Sequence, residues 1–304
     1  MRLSTLLLLS AAALGAGALA WSRHCQQQAE FRLRVLAAQL EPLGQLGYRD
    51  LRAWPWGQGE VSQLRLQLSA PAAARLGLDA GDTLRAERVE LLEYREHDPR
   101  TPATMRLRWS GLHWPLPAAR VGPEAEADEP PLSRLRALGL QELRCDGELD
   151  LRYRLDDQVL RLWLKARAPA LAEATLELSL RGGAGLFLGQ FREMELSRAR
   201  LDYRDRGLLA LIRQAPGLHH LVDGLDPEAG WSARFEQLST DRGLRWGADD
   251  ARRLREFLRE PLALRLMLDP PGRLQLRNLP LYRSADLPQV LGLSVVAPPA
   301  ETVP

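Results

Sequence analysis

The chain has one group of side chains that resembles a metal site, His219 and His220 together with Asp223. Adjacent histidines on a helix point about 100° apart, so both can face one ion only if the helix is broken. His219 and Asp223 are four residues apart and can share an ion, but two ligands are too few for a closed site. We therefore predict no metal here, and a solvated or capping role for these three side chains.

Paired carboxylates can perform acid–base catalysis, and the candidates are Asp202, Asp205 and Asp241. Arginines lie close to each of them in sequence, at positions 200, 204, 206 and 242, so surface ion pairing is the expected role. The chain has no G-x-S-x-G, H-E-x-x-H, G-x-G-x-x-G or Walker motif. The glycine-rich residues 182–185 lie between two predicted strands and open no helix that could hold phosphate, so we interpret them as a flexible turn. We predict a non-enzymatic protein with no catalytic residues and no cofactor.

Charge, cysteines and tryptophans narrow the range of partners. The 41 Lys and Arg residues nearly balance the 39 Asp and Glu residues, so nucleic-acid binding by charge alone is not indicated. Cys25 and Cys145 lack the spacing of a metal or redox pair. We favour two incidental thiols over a disulfide, which their sequence separation leaves open.

Trp163 falls on the charged side of a predicted strand. Three roles are open to it there: it could lie over arginine side chains, be covered by a second layer, or mark a contact surface. We favour coverage.

The element that positions these side chains is a run of alternating apolar and charged residues between Leu143 and Tyr203. Such alternation places the apolar side chains on one face of a sheet and the charged ones on the other, as in an antiparallel sheet covered on one side. Six leucines are our candidate residues for a lipid-facing or core sheet face: Leu149, Leu151, Leu162, Leu164, Leu176 and Leu178. The sequence leaves open whether this face is a sealed core or an open groove.

The same patterns predict the elements on both sides of this run. The alternation slips between Ala86 and Val89 and again near Arg198, as β-bulges would produce. A helix over residues 248–260 is predicted to be capped by Asp249 or Asp250, and residues 262–268 and 273–279 to form a hairpin. The fold class is α+β, mainly β: an N-terminal transmembrane helix, then a twisted antiparallel sheet with a few covering helices toward the C-terminus.

The chain divides into five predicted parts. An acidic, proline-rich linker separates two strand groups, because VGPEAEADEPP has no large apolar residue after its first position. The parts are an anchor or signal peptide at 1–22, an amphipathic helix and first strand group at 23–120, the linker at 121–131, the main β meander with helices and the C-terminal hairpin at 132–297, and a frayed tail at 298–304.

The first of these parts has an uncharged run from Leu3 to Ala20. As a helix it would span about 27 Å, close to a bilayer core of about 30 Å. Ala18-Leu19-Ala20 also fits a signal-peptide cleavage site. We favour an uncleaved anchor, because the run is longer than a typical signal-peptide core and the bulky Trp21 would follow the cut. Both interpretations export everything after Ser22.

Four stretches of the sequence occur in a familiar order: the N-terminal apolar run, Gln45–Pro71, LSRARLDYRDRGLLALI at Leu196–Ile212, and Ala251–Leu281. The most specific phrase is DYRDRGLL, where an alternating strand runs into a helix. In this order the chain resembles the AsmA-like and YdgA-like envelope proteins of Gram-negative bacteria. The resemblance implies an inner-membrane anchor and a periplasmic, twisted, β-rich body. Some relatives have a groove for lipid acyl chains and are linked to outer-membrane lipid homeostasis; the resemblance transfers no site residues.

We therefore expect a membrane-anchored periplasmic protein with a non-enzymatic role in envelope or lipid homeostasis, which binds lipid on its apolar sheet face. The alternative is a periplasmic protein–protein scaffold or accessory subunit whose core is fully buried. The expected partners are the membrane, through the N-terminal helix, and a lipid or an envelope protein, with no nucleic acid. The expected location is the bacterial inner membrane, single-pass, with the C-terminal domain in the periplasm, or the periplasm itself if the signal is cleaved.

Overall fold

The structure is a computed structural model, and it describes residues 24–35, 37–38, 40–54, 57–76, 78–98, 101–116, 136, 140–183, 193–214, 230–241 and 243–296. Several predicted features lie outside these ranges: the candidate anchor, the acidic linker, the C-terminal tail, and the cluster of His219, His220 and Asp223. Within the described ranges, no helix is both long enough and apolar enough to cross a bilayer.

The described chain is mainly β, with about half of its residues in strands, as the alternation predicted. The strands are β1 (Gly44–Gly47), β2 (Asp50–Ala53), β3 (Gly59–Leu68), β4 (Thr83–Asp98), β5 (Thr101–Pro115), β6 (Glu142–Arg154), β7 (Val159–Ala168), β8 (Ala172–Arg181), β9 (Glu195–Asp205), β10 (Ala263–Leu268), β11 (Leu274–Gln275) and β12 (Leu293–Val296). Together they form one twelve-stranded sheet in the order β1, β3, β4, β5, β6, β7, β8, β9, β10, β12, with β2 also on β3 and β11 also on β9. The strand pairs in this sheet are all antiparallel among the described residues.

A few helices accompany the sheet, most of them toward the C-terminus as expected. They are α1 (24–35), α2 (Ala70–Leu76), α3 (Leu208–Gln214), α4 (Gly230–Asp241), α5 (Ala248–Arg259) and α6 (Leu287–Val290), with 3₁₀ turns at Leu276–Leu281 and Ser284–Asp286. The predicted cap of α5 is wrong. Gly247 is the N-cap residue and makes no side-chain cap, whereas Asp250 bonds to a strand instead.

The strand groups on the two sides of the predicted linker belong to the same sheet. β5 pairs with β6 from Thr104 opposite Arg152 to Pro115 opposite Glu142. The slip predicted between Ala86 and Val89 of β4 brings no register shift there, because Ala86 and Arg88 keep the same register with both β3 and β5. A shift occurs instead in the neighbouring strand. Gly111 has a φ of +57°, in the left-handed region that favours glycine, and the β5–β6 register shifts between Trp109 and Leu112.

The bulge predicted near Arg198 is present, because the β8–β9 register shifts where Ser179 faces Arg198.

The predicted C-terminal hairpin is wrong. β10 pairs with β9 on one side and with β12 on the other, and it does not pair with β11. β11 instead pairs with the start of β9, where Leu274 lies opposite Leu196. The second predicted strand is also shorter than expected, because Leu276–Leu281 form a 3₁₀ turn. Alternation suits any antiparallel neighbour, so the local pattern could not choose the partner.

The core lies on the apolar face, at the end of the sheet nearest the β6–β7 turn. Leu160 is 1% exposed and Leu151 is 4% exposed, and they cluster with six further buried residues: Tyr153, Leu180, Met194, Leu196, Ala199 and Leu274. The C-terminal segment covers this cluster through Leu276, Leu279, Val290 and Leu291. This end of the face is therefore sealed by the protein itself.

Side chains of two helices bond to backbone groups at opposite ends of the sheet. Gln26 of α1 donates to the Leu51 carbonyl (2.7 Å) and accepts from the Ala53 N–H (3.1 Å), as a neighbouring strand would. In α5, Asp250 accepts from the Val295 N–H (2.7 Å), and Arg253 donates to the Val295 carbonyl (2.5 Å). These bonds occupy backbone groups of the outer strands β2 and β12 that could otherwise pair with a strand of another chain.

Candidate functional site

The structure brings all six candidate leucines together in two rows that cross β6, β7 and β8. The first row contains Leu149, Leu164 and Leu176, which lie directly opposite one another. The second row contains Leu151, Leu162 and Leu178. Each row is extended by apolar residues of the neighbouring strands, the first by Leu107 and Leu201 and the second by Met105 and Ala199. We call these the first and second leucine rows.

The two leucine rows differ in how they are covered. In the second row, Leu151 belongs to the sealed core and Leu178 packs against it. In the first row, Leu149, Leu164 and Leu176 are only half-buried. Within the described residues, none of these three belongs to the core cluster or packs against it. Leu162 of the second row is also half-buried and outside the core cluster. The apolar face is therefore closed at Leu151, and the first row is less completely covered.

Beyond the first row, α5 covers the face on the side of β9. Tyr203 lies opposite Ala174 of β8 and Leu264 of β10, and its ring meets Phe257 of α5 edge-to-face at a centroid distance of 6.0 Å. Burial raises the pKa of Tyr203, and its hydrogen bond to Asp205 (2.8 Å) raises it further. The first row thus runs between the sealed core and the contact with α5.

The opposite face of the sheet carries charged side chains, mostly in compensating ladders. Arg106 and Arg108 of β5 pair with Glu148 of β6 (2.5 and 3.8 Å). Lys165 of β7 pairs with Glu173 of β8 (2.8 Å). Hydrogen bonding from Lys165 is the main reason that the pKa of Glu173 lies below its usual range. In these ladders each positive side chain faces a negative one, which favours the observed register.

A groove of about 780 Å³ lies on this charged face, over the middle of the sheet. Its lining includes Asp150, Arg152, Arg161, Trp163, Arg198 and Asp269. Trp163 is half-buried there, and Asp150 and Glu177 lie directly opposite it on the two neighbouring strands. Arginines and carboxylates therefore surround it in the groove. Sequence reasoning found Trp163 but not the groove, which depends on strands that are distant in sequence.

The candidate carboxylates have different roles from one another. Asp202 forms ion pairs with Arg200 (2.7 Å) and Arg265, as predicted. Burial alone would raise its pKa, but hydrogen bonds from Arg265 and Arg200 outweigh burial and hold the pKa below its usual value. Asp205, which was also expected to form surface ion pairs, accepts from the backbone N–H groups of Gly207 and Leu209 (3.0 Å each) and fixes the start of α3.

The sequence phrase DYRDRGLL therefore has a structural explanation. Asp205 ends β9 and bonds the first backbone groups of α3, while Gly207 has a φ of +132°. A Cβ atom at Gly207 would lie 3.0 Å from the carbonyl oxygen of Ala170, so the turn has little room for a side chain. The phrase specifies a strand-to-helix turn, and it carries no reactive group of its own.

The remaining candidate groups form no reactive site in the described part of the chain. Cys25 and Cys145 are free, and burial is the main reason that the pKa of the Cys145 thiol is raised. No group of three or more His, Cys, Asp and Glu side chains among the described residues is arranged to hold a metal ion. Asp241 ends α4, and its neighbour Arg242 lies outside the described residues.

Comparison of the chain with protein-family models gives no match, and a search of the curated proteins gives none either.

Proposed function

We propose that this protein is a membrane-anchored, non-enzymatic component of the bacterial envelope that binds lipid acyl chains on the apolar face of its sheet. The observation that carries the proposal is the first leucine row, which is apolar along five adjacent strands yet only half-buried at Leu149, Leu164 and Leu176. At a strand spacing of about 4.8 Å, five strands present about 19 Å of apolar surface. Each CH₂ group of an acyl chain that leaves water there contributes about 0.8 kcal/mol.

The exposed face of α1 supports a position at the bilayer surface. Phe31 is 66% exposed and Val35 is 42% exposed, and the two residues are four positions apart on the same side of the helix. Arg32 and Arg34 flank them. Helices that lie in a membrane interface combine apolar and basic side chains in this way. The candidate anchor directly precedes α1, and the Gln26 bonds attach α1 to β2, so the sheet would stand close to the membrane.

The resemblance to AsmA-like envelope proteins agrees with this proposal. A twisted antiparallel sheet behind an N-terminal anchor is the arrangement that the resemblance implies, and the described residues do form a mainly β, antiparallel sheet. Kinship with that family stays a proposal. So does the location, the inner membrane with the sheet in the periplasm.

A scaffold that binds another envelope protein is the second candidate function. The observation that favours it is the sealed end of the apolar face, where the C-terminal segment already covers Leu151 and its neighbours. If the first row is equally closed in solution, no surface remains for an acyl chain. Binding would then use another part of the molecule.

Lipid analysis of the full chain, purified gently in mild detergent, separates the two functions. We expect mass spectrometry to find phospholipid bound to the wild-type protein, and less of it bound to Leu164→Gln. The matched control is Leu155→Gln, because Leu155 is 54% exposed at the β6–β7 turn and lies outside the leucine rows. Circular dichroism would show that both variants are folded. Finding no lipid on the wild-type protein would favour the scaffold.

The anchor is tested separately by N-terminal sequencing of the mature protein. We expect residues 1–20 to be retained. A mature chain that begins at Trp21 would show that the apolar run is a cleaved signal peptide.

A further inference from the structure

We propose that the charged face of the sheet carries a binding site for an oxyanion, a phosphate or carboxylate group, centred on Arg161 in the groove beside Trp163. The site lies on the face opposite the leucine rows, because Arg161 and Trp163 alternate along β7 with Leu162 and Leu164. It therefore does not depend on the lipid proposal, and either can fail alone.

A row of three arginines and one serine crosses the charged face of the sheet at Arg161. Arg152 of β6 lies directly opposite Arg161, which lies opposite Ser179 of β8, which in turn faces Arg198 of β9. Like charges directly opposite each other destabilise a strand pair. The neighbouring row alternates in sign, from Arg106 through Asp150 and Glu177 to Arg200. A second row on this face also holds three arginines: Arg65 lies opposite Arg85, and His113 lies between Arg85 and Arg144.

Two of the three arginines in this row have carboxylate partners. Both Nε and an Nη atom of Arg152 bond to Asp150 (3.0 and 2.8 Å), and Arg198 bonds to Asp269 (3.2 Å). No ion pair or hydrogen bond of the Arg161 guanidinium is recorded among the described residues. The row therefore holds one uncompensated positive charge, and that charge lies at the centre.

The groove around Arg161 offers both space and hydrogen-bond donors for such a ligand. Its volume of about 780 Å³ is within the range of sites for small organic molecules. The planar guanidinium of arginine presents paired N–H donors that match the oxygens of a phosphate or carboxylate. Ser179 adds a hydroxyl in the same row, and Trp163 adds an aromatic ring two residues further along β7. The ligand would therefore combine an oxyanion with a flat or apolar body that covers the indole.

The test uses phenyl phosphate and benzoate as probes, with inorganic phosphate as the probe that lacks a ring. Binding to the full-length protein would be measured by calorimetry at low ionic strength, where charge interactions are least screened. We expect phenyl phosphate or benzoate to bind more tightly than inorganic phosphate, and their order shows which oxyanion the site prefers. Arg161→Gln should weaken the tighter probe by about tenfold or more, the loss of a charge-assisted hydrogen-bonding group.

The matched control is Arg108→Gln, which removes the same charge from the same face. Arg108 already pairs with Glu90 and Glu148 (3.6 and 3.8 Å) and does not line the groove. We expect its effect on affinity to stay within about twofold, a general charge effect. Equal losses in Arg161→Gln and Arg108→Gln would overturn the proposal, and so would a wild-type protein that binds none of the probes at millimolar concentration. Unchanged thermal unfolding of both variants would show that the difference is one of binding.

Discussion

Leu160 of β7 lies inside the sealed end of the apolar face, and its replacement by alanine measures how well that end is closed. The side chain is 1% exposed and is clustered with Leu151, Tyr153 and Leu180. Truncation removes the equivalent of three CH₂ groups, about 2.4 kcal/mol at about 0.8 kcal/mol for each. Strand neighbours relax only partly around the cavity, so we expect a total loss of about 3–4 kcal/mol in the free energy of unfolding.

Two further truncations in the same hairpin give the comparison. Leu164→Ala, in the half-buried first leucine row, should cost only about 1–2 kcal/mol, because water or a bound chain can occupy part of the space. Leu155→Ala, at the exposed turn, should change the free energy of unfolding by no more than about 0.5 kcal/mol. The three positions share one hairpin, so differences in strand pairing are small.

Chemical denaturation of the three variants measures these costs as shifts of the midpoint at an unchanged slope. The expected order of destabilisation is Leu160→Ala, then Leu164→Ala, then Leu155→Ala. If Leu164→Ala costs as much as Leu160→Ala, the first leucine row is closed as tightly as the core. That result would refute the argument for a lipid site on this face, and the scaffold function would then be favoured.

Three other predictions concern pH, the bulge and the N-terminal helix. Hydrogen bonding from Lys165 lowers the pKa of Glu173 in the folded protein below its usual 4.5. The resulting stabilisation is present above about pH 4.5 and is lost as the pH falls through the pKa of the folded protein. The difference in free energy of unfolding between wild type and Glu173→Gln should therefore shrink during acid titration. Gly111→Ala should lower the free energy of unfolding by about 1–2 kcal/mol, measured by thermal unfolding, because the φ of Gly111 is +57°. Gly272→Ala is the control, since a Cβ atom at Gly272 would have no neighbouring atom within 4 Å, and its loss should be less than half as large. Phe31→Ala should leave the free energy of unfolding in detergent within about 0.5 kcal/mol; a loss above 2 kcal/mol would show a buried ring and remove the argument for an interfacial helix.

The sequence pattern predicted only part of the groove on the charged face. Alternation placed Trp163 and Arg161 on the charged side of β7, and the structure agrees. It did not indicate that Arg152, Arg161 and Arg198 share one row, because Arg198 belongs to a strand that follows a different loop. A site made from several strands is visible only when their registers are known.

What the sequence determined by itself is local. Period-two alternation identified most of the strands, the apolar face with its six leucines, and the bulge near Arg198, because each depends on neighbours along the chain. Only the tertiary structure decided which strands pair, and that Asp205 bonds the backbone at the start of a helix. It also decided that the C-terminal segment seals Leu151 and Leu160 and leaves the first leucine row half-buried. The physical reason is that an alternating strand fits any antiparallel neighbour. Partner and cover are set by contacts between residues far apart in sequence.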